Sequence, residues 1–386
     1  MKCSLFVFFT FFLVLSASAQ QAVVIEGHVP SLPDSTMLRL YWKEGRVLQV
    51  VDTAYLSGGR FRFDYPLPEK NTLSIMGHSD LLSGRVSVYA EPGITARISG
   101  NNPLLATWSV DSPVPEQQES ERYKEVVKAE TEEYQLLDMQ SDRLRNAGRQ
   151  VSRREREPMM KEYERMGAAK DSLRYRIFEK TLSFMVAREP SVIFMEELKG
   201  ISSMAFHYPE KYGGLRQAAM AQYERLTPGQ KLSEQGREIA LSLFPPDQIK
   251  IGDDMADAQL PDLSGEVCQL SDYKGKYILL DFWSAGCGPC IMAMPELKEM
   301  SERYRDRLTI VGISSDNKRI WEEATEKYGI TWVNLNAPGQ SEIAAKYGVS
   351  GIPHQVIISP AGIVLGSWVG YGKGHLKERL EKYMTQ

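Results

Sequence analysis

Three rhythms of apolar and polar residues follow one another along the chain. From about residue 22 to 112 apolar positions alternate with polar ones, as strands with one buried face require. Residues 23–29, 37–42 and 60–65 fit this pattern, the last as a strict Arg-Phe-Arg-Phe alternation. Gly58-Gly59, between 50–56 and 60–65, predicts a hairpin. Glu91-Pro92-Gly93 predicts a further turn between strands at 85–89 and 94–98. From about 116 to 246 the period lengthens to that of a helix. Tyr123, Val126, Val127, Tyr134 and Leu137 recur at helical spacing, as do Tyr163, Met166, Leu173, Ile177 and Phe178. Pro158 and Pro190 predict breaks in these helices, and Pro245-Pro246 predicts their end. From 249 to 386 strands and helices alternate. The pattern predicts strands at 277–283, 308–314, 331–335, 355–359 and 363–369, with helices at 288–304, 318–328 and from about 374. The expected architecture is multidomain: an all-β domain at 22–112, an α-helical region at 116–246 and an α/β domain at 249–386.

The first 19 residues stand apart from all three. Lys2 gives a positive start, residues 5–15 are apolar, and Ala17-Ser18-Ala19 offers a small-residue cleavage site, which together predict a secretory signal peptide at 1–19. The apolar run is too short to hold the chain in a bilayer. Gln20 follows the cleavage site, where a lipoprotein would need a cysteine. The expectation is therefore a chain exported to the periplasm or a similar extracytoplasmic space, soluble and without stable membrane insertion once the signal is cut.

Composition changes this picture little. With 42% hydrophobic and 25% charged residues among 386, the chain can bury ample core. A formal net charge of −4 argues against nucleic acid as a partner. The Arg-rich stretch from Arg143 to Arg156 is interrupted by Glu155 and followed by Glu157, so it reads as a solvated helix face.

Candidate chemistry is concentrated at Asp281-Phe282-Trp283-Ser284-Ala285-Gly286-Cys287-Gly288-Pro289-Cys290. An apolar strand delivers a Cys-x-x-Cys pair to the start of a helix. Unsatisfied N–H groups at that helix end favour thiolate over thiol, and thiolate is the attacking species in disulfide exchange. Cys287 is the expected nucleophile and Cys290 the resolving thiol. Once the signal is removed, Cys268 is the one other cysteine, on a short strand near 266–270, where it reads as a small buried apolar residue. A zinc site would normally need a second Cys or His pair, and Cys268 and His354 do not make one. No metal and no cofactor is expected. Ile291 stands where c-type haem attachment requires His. An inert structural disulfide is the remaining bland alternative.

The motif resembles thioredoxin at Asp281, Phe282, Trp283, Cys287, Gly288, Pro289 and Cys290, with Pro295 at the position of that family's helix-kinking proline. Downstream, Gly348-Val349-Ser350-Gly351-Ile352-Pro353-His354 resembles the family's cis-proline loop, and the segment from Ile251 onward resembles the TlpA/ResA-like extracytoplasmic branch. The first domain is similar, at pattern level, to an uncharacterised β-sandwich found ahead of such modules. The resemblance implies a thioredoxin fold and a thiol–disulfide oxidoreductase of the protein-disulfide reductase type. It implies Asp281 as a buried acid that takes a proton from Cys290. Trp283, Gly288, Pro289, Ile352 and Pro353 would face substrate. Exported proteins with disulfides, apocytochrome c among them, would be substrates, and a membrane electron donor would resupply the dithiol.

Three positions depart from that branch: Ala293 replaces a common Glu, Gly286 replaces a common Trp, and His354 replaces the usual Thr. His354 is a candidate for tuning reactivity, since a protonated imidazole near the thiols lowers their pKa. Two other functions stay open. The same chemistry could run as a disulfide oxidase or isomerase, although those families usually carry His between the cysteines. Alternatively the first 245 residues bind a partner and the thioredoxin-like module is accessory.

Overall fold

The computed structural model describes residues 21–44, 47–77, 82–339 and 341–384, so the predicted signal peptide lies outside the described residues. Among the described residues eight strands come first: β1 (Ala22–His28), β2 (Met37–Glu44), β3 (Val47–Tyr55), β4 (Arg60–Pro66), β5 (Asn71–Gly77), β6 (Val86–Ala90), β7 (Thr95–Ser99) and β8 (Ser109–Asp111). They form two four-stranded sheets, in the orders β4-β1-β7-β8 and β3-β2-β5-β6. Alternation puts Val23, Ile25, Phe61 and Phe63 of one sheet against Leu38, Leu40, Leu73 and Val88 of the other in one buried core. Gly27 permits this packing, because the Phe61 ring lies where a Cβ would stand.

The Gly58-Gly59 hairpin is corrected by the structure. The turn forms, with φ of 56° and 69°, but it joins strands in opposite sheets rather than partners. Only an isolated Ser57–Arg60 bridge closes it. The turn at Glu91 likewise carries the chain from one sheet to the other, since β6 and β7 lie in different sheets. β5 and β8 were not anticipated.

Eight helices follow: α1 (Pro115–Val126), α2 (Lys128–Gly148), α3 (Arg153–Met185), α4 (Val192–His207), α5 (Pro209–Tyr212), α6 (Arg216–Glu224), α7 (Pro228–Leu232) and α8 (Glu234–Leu243). α2 and α3 form an antiparallel hairpin, because pairs move in opposite directions along them: Lys180 meets Glu130 and Lys170 meets Asp138. Pro158 does not break a helix as predicted. It sits in the second turn of α3, where one main-chain hydrogen bond is lost. The break falls earlier, at the Ser152–Glu155 capping box. The arginines from Arg143 to Arg156 are exposed. Phe194, Leu198 and Ile201 of α4 centre the core of this region with Met185, Ala219 and Ile239.

The remaining chain holds β9 (Gln259–Pro261), β10 (Val267–Gln269), β11 (Tyr277–Trp283), α9 (Gly288–Arg303), β12 (Leu308–Ser314), α10 (Lys318–Tyr328), β13 (Val333–Asn336), α11 (Glu342–Lys346), β14 (His354–Ile358), β15 (Val364–Val369) and α12 (His375–Met384). Its five-stranded sheet runs β13-β12-β11-β14-β15, with β11, β12 and β13 parallel and β14 and β15 closing as an antiparallel hairpin. Leu279 and Ile357 pack on α9 and α12, while Ile278, Leu280, Phe282 and Val356 pack on the opposite face against Met255 and Ile343. This is the thioredoxin fold. α8 meets it at the loop after β13, where Glu238 presses on Gly339. Among the described residues no helix is long and apolar enough to cross a membrane.

Candidate active site

Cys287 is the N-cap of α9, and its Sγ accepts the Cys290 N–H at 3.1 Å. The sulfur therefore sits on the helix end whose free N–H groups attract negative charge. Cys287 and Cys290 form a disulfide with Cα atoms 5.2 Å apart. The two cysteines differ in access: Cys287 is half-buried, whereas Cys290 is 2% exposed beneath Gly288 and Pro289, which are exposed. Cys290 packs on Trp283, Met294 and Trp321.

The loop feeding Cys287 is tied from below by a residue that sequence reasoning missed. Asp316, 1% exposed beyond the end of β12, accepts the Ala285 N–H at 2.6 Å and the Ser284 and Ser314 hydroxyls at 3.0 and 3.1 Å. Its carboxylate thus fixes Ser284 and Ala285, and Gly286 follows through its N–H to Ser284 Oγ at 3.3 Å. The Ser-Ser-Asp-Asn cluster ending an apolar strand was the available signal.

Asp281 is 4% exposed, and its Oδ1 accepts a hydrogen bond from Gln355 Nε2 at 2.9 Å, while Trp368 Nε1 donates to Gln355 Oε1 at 2.6 Å. Burial outweighs the Gln355 amide and pushes the carboxyl pKa up to about 6. Strand alternation places Asp281 with Leu279 on the face covered by α9. A carboxyl group that holds or loses a proton near neutral pH therefore lies on the dithiol side of the sheet.

The peptide between Ile352 and Pro353 is cis, and the Ile352 carbonyl oxygen lies 3.6 Å from Cys287 Sγ. Pro353 itself is buried, with Ile352 half-exposed beside it. The loop and the disulfide are in contact.

Two expectations need correction. Trp283 does not face outward: it is 2% exposed and its Nε1 donates to Asn334 Oδ1 at 3.1 Å, so it supports Cys290 from beneath. His354 does not approach the thiols with a charge. It alternates with Gln355 on β14, pairs in register with Phe282, and so points to the sheet face opposite α9. Its Nε2 lies 2.7 Å from Ser367 Oγ, and burial lowers its pKa to about 4, leaving the ring neutral at physiological pH. Cys268 is free and half-buried on β10, against the apolar cluster beneath the sheet. Among the described residues no group of three or more His, Cys, Asp or Glu is placed to hold a metal ion.

The sequence profile of the AhpC/TSA family matches residues 251–366. Thioredoxin-like protein YneN of Bacillus subtilis (strain 168) is 30% identical over 137 residues, which make up 34% of this chain and 80% of that protein. The thiol–disulfide oxidoreductase ResA of Bacillus anthracis is 29% identical over 142 residues, 36% of this chain and 80% of that protein. Among solved structures, the thioredoxin domain of a thiol–disulfide oxidoreductase from Bacteroides vulgatus is 29% identical, aligning with 35% of this chain and 99% of that one at a TM-score of 0.33. Joined to a Cys-x-x-Cys disulfide at the head of α9 on a thioredoxin fold, the relationship to the Bacillus subtilis thioredoxin-like protein makes the chain a member of the thioredoxin-like thiol–disulfide oxidoreductases.

Proposed function

We propose that the chain is an exported reductase of protein disulfides. The observation that carries this reading is the unequal access of the two sulfurs, Cys287 half-buried and Cys290 sealed, which orders the attack. In the dithiol form the Cys287 thiolate attacks a substrate disulfide, forming a Cys287–substrate bond and expelling one substrate thiolate. Cys290 then loses its proton to Asp281 and attacks Cys287 Sγ. The second substrate thiolate leaves, and the Cys287–Cys290 bond forms. Two electrons have passed from the dithiol to the substrate. An external dithiol, held by a membrane donor in the exported setting, returns them. Gly288 and Pro289, exposed between the cysteines, favour the reducing direction, since thioredoxin with that dipeptide sits near about −270 mV. Gly288, Pro289 and the backbone of Ile352 before Pro353 form the surface offered to substrate, and exported proteins with disulfides, such as apocytochrome c, are the proposed substrates.

The order of attack is tested with the reduced full chain and a peptide carrying a mixed disulfide. Wild type should release both thiols. Cys290→Ala should stop at a stable adduct on Cys287, and Cys287→Ala should give none. An adduct trapped on Cys290 instead would reverse the assignment.

A further inference from the structure

The β-sandwich, the helical region and the thioredoxin-fold sheet enclose a cleft of about 1320 Å³. Its floor is the carboxyl end of the parallel strands, represented by Ser315, Asn317 and Ala337, together with Gly351 and Ile352 before the cis-proline. Carboxyl ends of strands are where open α/β sheets carry their ligands. Ile352 lines the cleft and its carbonyl touches Cys287 Sγ, so the disulfide lies beside one edge of the cleft, although neither cysteine lines it. Its volume exceeds the roughly 300–1,000 Å³ of small-molecule sites, and its walls mix polar and apolar surface about equally where such sites are mainly apolar.

The walls hold two acceptors without partners among the described residues. Gln135 of α2 is 6% exposed, lines the cleft, and its Oε1 receives no hydrogen bond. Glu197 of α4, half-buried, also lines it, and its carboxylate makes no hydrogen bond or ion pair among the described residues. Burial first, and the neighbouring Glu196 charge second, raise the Glu197 pKa to about 7. Glu196 itself accepts the Tyr89 hydroxyl at 2.6 Å. The nearby lysines are engaged, Lys124 with Glu121 and the Trp108 carbonyl, Lys199 with Glu238. Arg85, before β6 of the sandwich, is the cleft cation without a partner among the described residues, and Glu196, Glu197 and Glu234 line the same cleft. Glu197 is half-buried, so its carboxylate has lost part of its hydration with no partner in return, and a cation relieves that cost. Both lone groups are acceptors, so the occupant has to bring donors.

We propose that the cleft takes an extended segment of the substrate polypeptide, with a lysine or arginine of that segment at Glu197, an N–H at Gln135 and the cysteine sulfur at Cys287. This rests on the reductase reading only for the exchange at Cys287, which proceeds by the two balanced steps given above. Selection then depends on the first two regions of the chain as well as on the thioredoxin-fold module. Substrates whose disulfide lies inside a rigid fold do not enter.

The test uses the reduced full chain and two linear peptides. Each carries one cysteine capped by glutathione, and they differ only in having lysines or glutamates around it. The rate constant kcat/KM should favour the lysine peptide by about tenfold, the scale of one charge-assisted hydrogen bond. Glu197→Gln should bring that ratio close to one. Equal rates for both peptides in wild type, or a preference that survives Glu197→Gln, overturns the cleft proposal and leaves the reductase reading standing. If neither peptide is reduced, both fail together.

Discussion

Asp281 carries a charge where the fold gives it only one amide donor, and that imbalance has measurable consequences. Its folded pKa, raised to about 6, lies above its unfolded value, so the associated stability is full below about pH 4 and is lost as pH rises through 6. Asp281→Asn should remove that loss. In urea unfolding of the disulfide form, the variant should be more stable than wild type by on the order of 3 kcal/mol at pH 7.5, with the gap closing at pH 4. The same substitution should slow release of the second substrate thiol about 100-fold, the range of a lost general base, while the first attack is little changed. A variant that gains stability yet resolves mixed disulfides at the wild-type rate would leave Asp281 a buried acid with no part in proton transfer. His354 titrates with the opposite sign: its pKa of about 4 lies below the unfolded value, so its contribution is present above about pH 6.5 and lost as pH falls towards 4. Because its ring lies on the far face and is neutral, His354→Thr should leave the pH profile of Cys287 alkylation unmoved. The acid was legible from its place before the cysteines. The direction of the histidine was not, since it depends on which face β14 turns to α9.

At the scale of elements, the strand–turn–helix around Cys287 depends on Asp316, which lies in sequence beyond the whole of α9 and β12. Asp316→Ala would leave the Ala285 N–H and two hydroxyls without their acceptor. A loss of about 3 kcal/mol in denaturant unfolding is expected, with a slower attack by Cys287 on disulfides because its loop is no longer fixed. Unchanged stability would remove Asp316 from this role. The apolar runs of β11 and β12 and the periodicity of α10 were readable because buried strands and amphipathic helices impose their own patterns. Gly58-Gly59 shows the limit: turn chemistry specifies a tight reversal, but not whether the two strands pair or part between sheets. Pro158 shows another, since a proline near a helix start removes one bond without ending the helix. Asp316 escaped notice because its loop partners Ser284 and Ala285 are brought to it only by the parallel pairing of β11 with β12.

Across the whole molecule, two cysteines and their flanking motif located the chemistry, but the cleft beside them is made from three regions distant in sequence. None of its lone acceptors belongs to a motif. If the first regions select substrate, a fragment of residues 249–386 should reduce both test peptides at similar rates and lose the lysine preference of the full chain. Retention of that preference would place selection within the thioredoxin-fold module alone. The direction of electron flow remains the central claim, and the reduction potential of Cys287–Cys290 tests it most directly. It is measured by thiol trapping of the full chain across glutathione buffers of known ratio. A value near about −270 mV is expected of a reductase with Gly-Pro between its cysteines, whereas a value near about −120 mV would make the protein an oxidant and contradict the account.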